Sequence, residues 1–196
     1  RGNPAPDYAK AEEAFRRAWA GEMESDGFNR LVSFADLGWR QVTILRAYAK
    51  FLRQAAFPFS QAYIENAFAA HPNVARLLVE LFLTSFDPAL NAPAKAKSSA
   101  ARVRILTDEI CAALDTITNA DEDRILRRYL NLSTNTLRTN YFQRTAEGGL
   151  KPYISFKLNS RNIEDLPLPR PMVEVFVYSP RVEAIHLRGG KVARGG

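Results

Sequence analysis

The hydrophobic period of this chain changes at Gly148-Gly149, and that change constrains the fold more than any other feature. Before it, apolar residues recur at spacings of three and four. After it they alternate, and alternation is the mark of strands. A chain that switches once, from one pattern to the other, belongs to the α+β class rather than to a repeating βαβ fold.

Most of residues 7–147 read as helix. The first runs from Asp7, a plausible cap, to Met23. Ser25-Asp26-Gly27 breaks it. A second starts near Asp36, with a stripe of Val42, Leu45, Ala49, Leu52 and Ala56, and ends at Phe57-Pro58. Ser60 caps a short helix through Ala70, closed by His71-Pro72. Asn73 to Phe86 is strongly apolar. A Pro- and Ala-rich break follows, and Ser98 or Ser99 opens the next helix, which closes at Asn119. Asp121, Glu122 and Asp123 then suit the start of a further helix, where the macrodipole favours acids. That helix is expected to continue through Tyr141, although residues 131–140 are mostly Asn, Ser and Thr, which compete with helix by bonding nearby backbone. Either packing holds this stretch helical, or its polar face meets a ligand or another domain.

Past Gly149, residues 152–159 read as a strand. Leu166-Pro167-Leu168-Pro169-Arg170-Pro171 is forced to be extended. Met172 to Tyr178 and Val182 to Leu187 form a hairpin around Ser179-Pro180-Arg181, with Val173, Val175 and Val177 on one face. The expected fold is therefore mainly α: a helical region followed by a short three-stranded antiparallel or mixed sheet. Such a sheet leaves an edge open, as if it were the start of a larger domain.

Of the net charge of +6, the last 47 residues, 150–196, carry +4 (eight basic against four acidic side chains). The rest is nearly balanced, which argues against a nucleic-acid stripe. There is no apolar run long enough to span a membrane. The single Cys111 excludes an internal disulfide, fits a reducing cytoplasmic setting, and reads as a small core residue. Metal-ligand spacing is absent, as are the GxxxxGK[ST] and GxGxxG phosphate loops. His71, at a helix end, reads as structural, and His186 as a strand histidine rather than a base.

The remaining candidate is the terminal stretch Arg188-Gly189-Gly190-Lys191-Val192-Ala193-Arg194-Gly195-Gly196. Glycine lets backbone approach a ligand closely. Arg and Lys offer donors to a carboxylate or phosphate. Taken alone, this stretch is either a site for a small anion or a solvated turn.

Residues 169–196, together with Leu137–Gln143, Lys151-Pro152-Tyr153 and Ser155–Leu158, resemble the large bacterial NAD-specific glutamate dehydrogenases. The preceding helices resemble, less distinctively, the helical segment before the catalytic domain of those long chains. The resemblance implies two parts: residues 1–120 as the helical region and residues 121–196 as the truncated start of the substrate-binding catalytic domain. It implies an internal fragment that ends within the active site. Arg194, Gly195, Gly196 and Lys191 would contact substrate, with Arg194 where shorter relatives carry a lysine for a substrate carboxylate. No catalytic residue, cofactor-binding residue or metal ligand would lie within the chain. NAD would be held by the rest of the protein, with L-glutamate and 2-oxoglutarate as substrate and product. A homo-oligomer is implied, without nucleic-acid or membrane partners. The alternative is a helical regulatory or oligomerisation module with no chemistry of its own.

Overall fold

The computed structural model describes residues 8–190 of the chain. Among these described residues seven α-helices precede four strands. The helices are α1 (Tyr8–Trp19), α2 (Arg30–Phe34), α3 (Trp39–Gln54), α4 (Gln61–Ala70), α5 (Pro72–Phe86), α6 (Ala96–Leu114) and α7 (Ala120–Thr134). The strands are β1 (Thr136–Thr139), β2 (Ile154–Leu158), β3 (Val173–Ser179) and β4 (Val182–Arg188), in the order β1-β2-β3-β4 with every pairing antiparallel. The mainly α, α+β class is as the sequence indicates. The strand count is not: among the described residues the sheet has four strands rather than three, and no parallel pair makes it mixed.

The extra strand comes from the Asn/Ser/Thr-rich stretch expected to prolong the last helix. α7 ends at Thr134 because its own side chains bond its last carbonyls. Thr134 Oγ1 donates to Leu130 O, Asn135 Nδ2 to Asn131 O at 2.9 Å, and Thr136 Oγ1 to Leu132 O at 2.8 Å. Those bonds replace the next helical turn, and residues 136–139 pair with β2. The stretch does not continue the helix.

Other boundaries moved for similar local reasons. Helix α1 stops at Trp19, and Met23 is buried beyond it. The short helix α2 was not legible, and Asp36, expected to open the next helix, instead adopts a left-handed φ of 54°. Helix α3 starts at Trp39, where Gln41 Oε1 accepts from the Gly38 N–H at 2.7 Å. α6 starts at Ala96, so Ser99 is not a cap; its hydroxyl is buried and donates to Thr84 O at 3.0 Å. Ser60 does cap α4, accepting from Tyr63 N–H. Asn119 caps α7, whose first turn holds Asp121, Glu122 and Asp123.

One apolar cluster joins helices and sheet. Tyr48 of α3 is at its centre, with its ring 4.4 Å from Phe156 of β2 and edge-on to Phe82 of α5 and Tyr129 of α7. Phe51 meets Phe176 of β3 at 5.7 Å. Burying each such aromatic stabilises the fold by about 2–3 kcal/mol before entropy is counted. The helix-facing residues of β3 are Glu174, Phe176 and Tyr178; Val175 and Val177 point to the opposite side and stay half-buried.

Candidate functional site at the end of the sheet

β3 begins where β4 ends. Val173 is paired with Arg188, and the Met172 N–H donates to Arg188 O at 2.9 Å. The chain then leaves the sheet through Gly189 and Gly190, both exposed. The strand hairpin therefore brings Arg188, Gly189 and Gly190 to one defined end of the sheet. The predicted contact residues Lys191, Arg194, Gly195 and Gly196 lie outside the described residues.

Close to this exit is a carboxyl that sequence reasoning missed. Glu174 lies on the helix-facing side of β3, between Leu158 of β2 and Leu187 of β4, and is only 7% exposed. Its Oε2 has no donor in reach, and burial pushes its carboxyl above the ordinary value, with the Ser160 hydroxyl opposing the shift. Around it the Pro-rich segment is fixed by arginines. Arg128 of α7 donates to Glu164 O and to Asp165, while Arg170 reaches Leu166 O at 3.4 Å. Burial lowers the Arg128 guanidinium, and the two acids beside it work against that.

The opposite end of the hairpin is tied to the helices by charge. Lys50 of α3 donates to Glu24 at 2.8 Å and lies 3.9 Å from Glu183 of β4. The Tyr178 hydroxyl donates to the other oxygen of Glu24 at 2.8 Å. Arg46, with no exposed side-chain surface, donates to both oxygens of Asp26 at 2.7 Å and to Asn29 Oδ1 at 2.6 Å. Burial alone would lower the Arg46 guanidinium, but the bonds it donates to Asp26 and that carboxylate's charge raise it overall. The sequence carried no sign of this network, because its bonded partners are 17 to 154 residues apart.

His71 bonds Glu122 at 2.7 Å, linking the α4–α5 junction to α7. His186 is exposed on β4, opposite Val175. Cys111 is half-buried on α6 rather than in the core; its neighbours Ile110 and Leu114 fill that place. Among the described residues no group of His, Cys, Asp and Glu could hold a metal ion, and no helix is long and apolar enough to cross a membrane.

The hairpin and its exit fall within a segment with known relatives. Residues 109–196 match the family described as bacterial NAD-glutamate dehydrogenase, catalytic domain, and residues 23–88 match glutamate dehydrogenase, helical motif 3. The chain belongs to the bacterial NAD-glutamate dehydrogenases. It is 50% identical over 184 residues to an NAD-specific glutamate dehydrogenase of Halomonas elongata. Proteins of the same name from Pseudomonas aeruginosa and Mycobacterium tuberculosis are 49% and 48% identical over 185 residues. Each alignment covers 94% of this chain and 11% of the relative, so the chain spans about a ninth of the length of these glutamate dehydrogenases. The helical-motif match runs from Met23 through α5, and the catalytic-domain match begins inside α6 and takes in the whole sheet.

Proposed function

We propose that this chain serves an NAD-dependent glutamate dehydrogenase, an enzyme that deaminates L-glutamate oxidatively to 2-oxoglutarate and ammonium. Residues 1–120 form the helical region, and residues 121–196 open the substrate-binding part of the catalytic domain. The observation that carries this reading is the catalytic-domain match over residues 109–196, which ends on the hairpin and its basic glycine-rich exit.

On this reading Arg194 gives a guanidinium to a substrate carboxylate, Gly195 and Gly196 allow backbone N–H groups to approach it, and Lys191 adds a second cation. The surplus of positive charge in residues 150–196 complements a doubly negative substrate. This chain's share of the work is to orient the dicarboxylate and neutralise its charge. NAD supplies the hydride acceptor, and the residues that hold it and those that activate the nucleophile are assigned to the remainder of the protein, as these 196 residues contain no GxGxxG stretch. The enzyme would work in the cytoplasm as a homo-oligomer, without a metal. The 196-residue chain by itself is expected to be inactive.

The test is glutamate-dependent reduction of NAD by the longer enzyme, with Arg194→Ala beside wild type. The expected result is a raised KM for glutamate with kcat nearly kept, the signature of a lost ground-state contact. An unchanged variant would return the terminal stretch to a solvated turn. An inactive wild type would overturn the enzyme reading in favour of a helical regulatory or oligomerisation module.

A further inference from the structure

The sheet has two faces, and the helices lie against the one that carries Thr136, Ile154, Phe156, Leu158, Phe176 and Tyr178, all buried. The register arranges the other face in two rows. Arg138 is opposite Lys157, Lys157 opposite Val175, and Val175 opposite His186. Beside that row run Ser155, Val177 and Ala184. Val175, Val177 and Lys157 are half-buried, whereas Arg138, Ala184 and His186 are exposed.

A sheet that ends in water on one side alternates, with polar side chains outward. Here the outward residues of the central strand β3 are valines, and cations lie to one side of them. Neither Arg138 nor Lys157 meets a carboxylate among the described residues, because the acids of the hairpin, Glu174 and Glu183, belong to the opposite face. An apolar strip with unspent cations along it complements an amphipathic helix that carries acids beside its apolar ridge.

We propose that this face packs against an acidic amphipathic helix from the part of the longer enzyme outside these 196 residues. The helix covers Val175, Val177 and Ala184 and presents Asp or Glu to Arg138 and Lys157. Charge identifies the occupant: a second copy of this face would bring the same cations into a two-fold contact and repel. A small anion would leave the valines uncovered. The relatives supply the chain such a helix needs, since this segment is 11% of their length. The proposal takes from the family reading only that longer chain, and its test does not use activity.

The experiment uses the full-length protein. Val177→Cys is labelled with a maleimide, native and urea-denatured, and the modified peptide is followed by mass spectrometry. A native rate at least about tenfold below the denatured one is expected for a covered site. Carbodiimide coupling should then join the Lys157 amine to an Asp or Glu outside residues 1–196, in a stretch with helical period. A thiol at position 177 that labels freely in the native protein overturns the proposal. So does a Lys157 that stays unlinked, or that links only within this segment or to the same segment of a second copy. Lys157→Glu should speed labelling at position 177 in the native protein while Lys157→Met changes it less; equal rates in the two would remove the charge from the argument.

Discussion

Removing the carboxylate of Asp26 should cost this fold more than removing the arginine it pairs with. Arg46 is fully buried and gives Asp26 two charge-assisted hydrogen bonds at 2.7 Å. Each bond of that kind contributes about 1.5–3 kcal/mol. Asp26→Asn leaves one acceptor and turns an amide N–H toward the guanidinium, so a buried cation loses its counter-charge. The expected cost is about 3–5 kcal/mol, the range for breaking one side of a buried pair. Arg46→Met also removes the cation that had to be desolvated. It leaves Asp26, with 12% of its side chain exposed, still bonded to Phe28 N–H and to Gln61 Nε2. Its cost should be smaller, about 1–3 kcal/mol, the range for leaving a largely buried group short of one hydrogen-bond partner. The double variant should therefore be more stable than the sum of the singles implies, by about 2 kcal/mol. Urea denaturation followed by far-UV circular dichroism reads all three. With a slope of about 2 kcal/mol/M, Asp26→Asn moves the midpoint down by about 2 M. Additive costs, or an Arg46→Met variant worse than Asp26→Asn, would refute this account of the pair.

Glu174→Gln should change how stability depends on pH. The folded carboxyl lies above its ordinary value of 4.5 because it is buried, so folding is penalised progressively as pH rises from there through the folded value. The Gln variant should lose that decline and gain on wild type between acid and neutral pH; parallel curves for the two proteins would show that Glu174 does not titrate across the transition. The Tyr48 hydroxyl is bonded to Thr136 Oγ1 at 2.7 Å, and Thr136 spends its own proton on Leu132 O, so Tyr48 is the donor. Tyr48→Phe should cost about 1 kcal/mol by chemical denaturation, and no change would mean that the bond across α3 and β1 has no net worth.

Within the chain, the longer helices and the hairpin were legible because each is set by a short-range pattern. The stripe on α3 from Val42 to Leu52, the cap at Ser60, the acids at the start of α7, and the alternation in β2 and β3 need no distant partner to be recognised. The basic glycine-rich stretch was legible as a candidate site for the same reason, and the family followed from residues 169–196 and the blocks just upstream. Strand β1 was not legible. Thr136 to Thr139 have no pattern of their own, and they become a strand only because β2 offers a pairing edge and Tyr48 a hydroxyl.

The sequence by itself thus determined the class, the order of helix and hairpin, and the family, since periodicity, capping and motif are properties of neighbours along the chain. Tertiary structure alone decided which strand face turns inward, where α7 stops, and that Asp26, Arg46, Glu24, Lys50 and Tyr178 form one partly buried network. Those outcomes depend on groups as far apart as Glu24 and Tyr178, brought within 2.8 Å when the sheet closes over α3. A buried charge is stable only when its partner arrives, and no local stretch of sequence says which partner that will be.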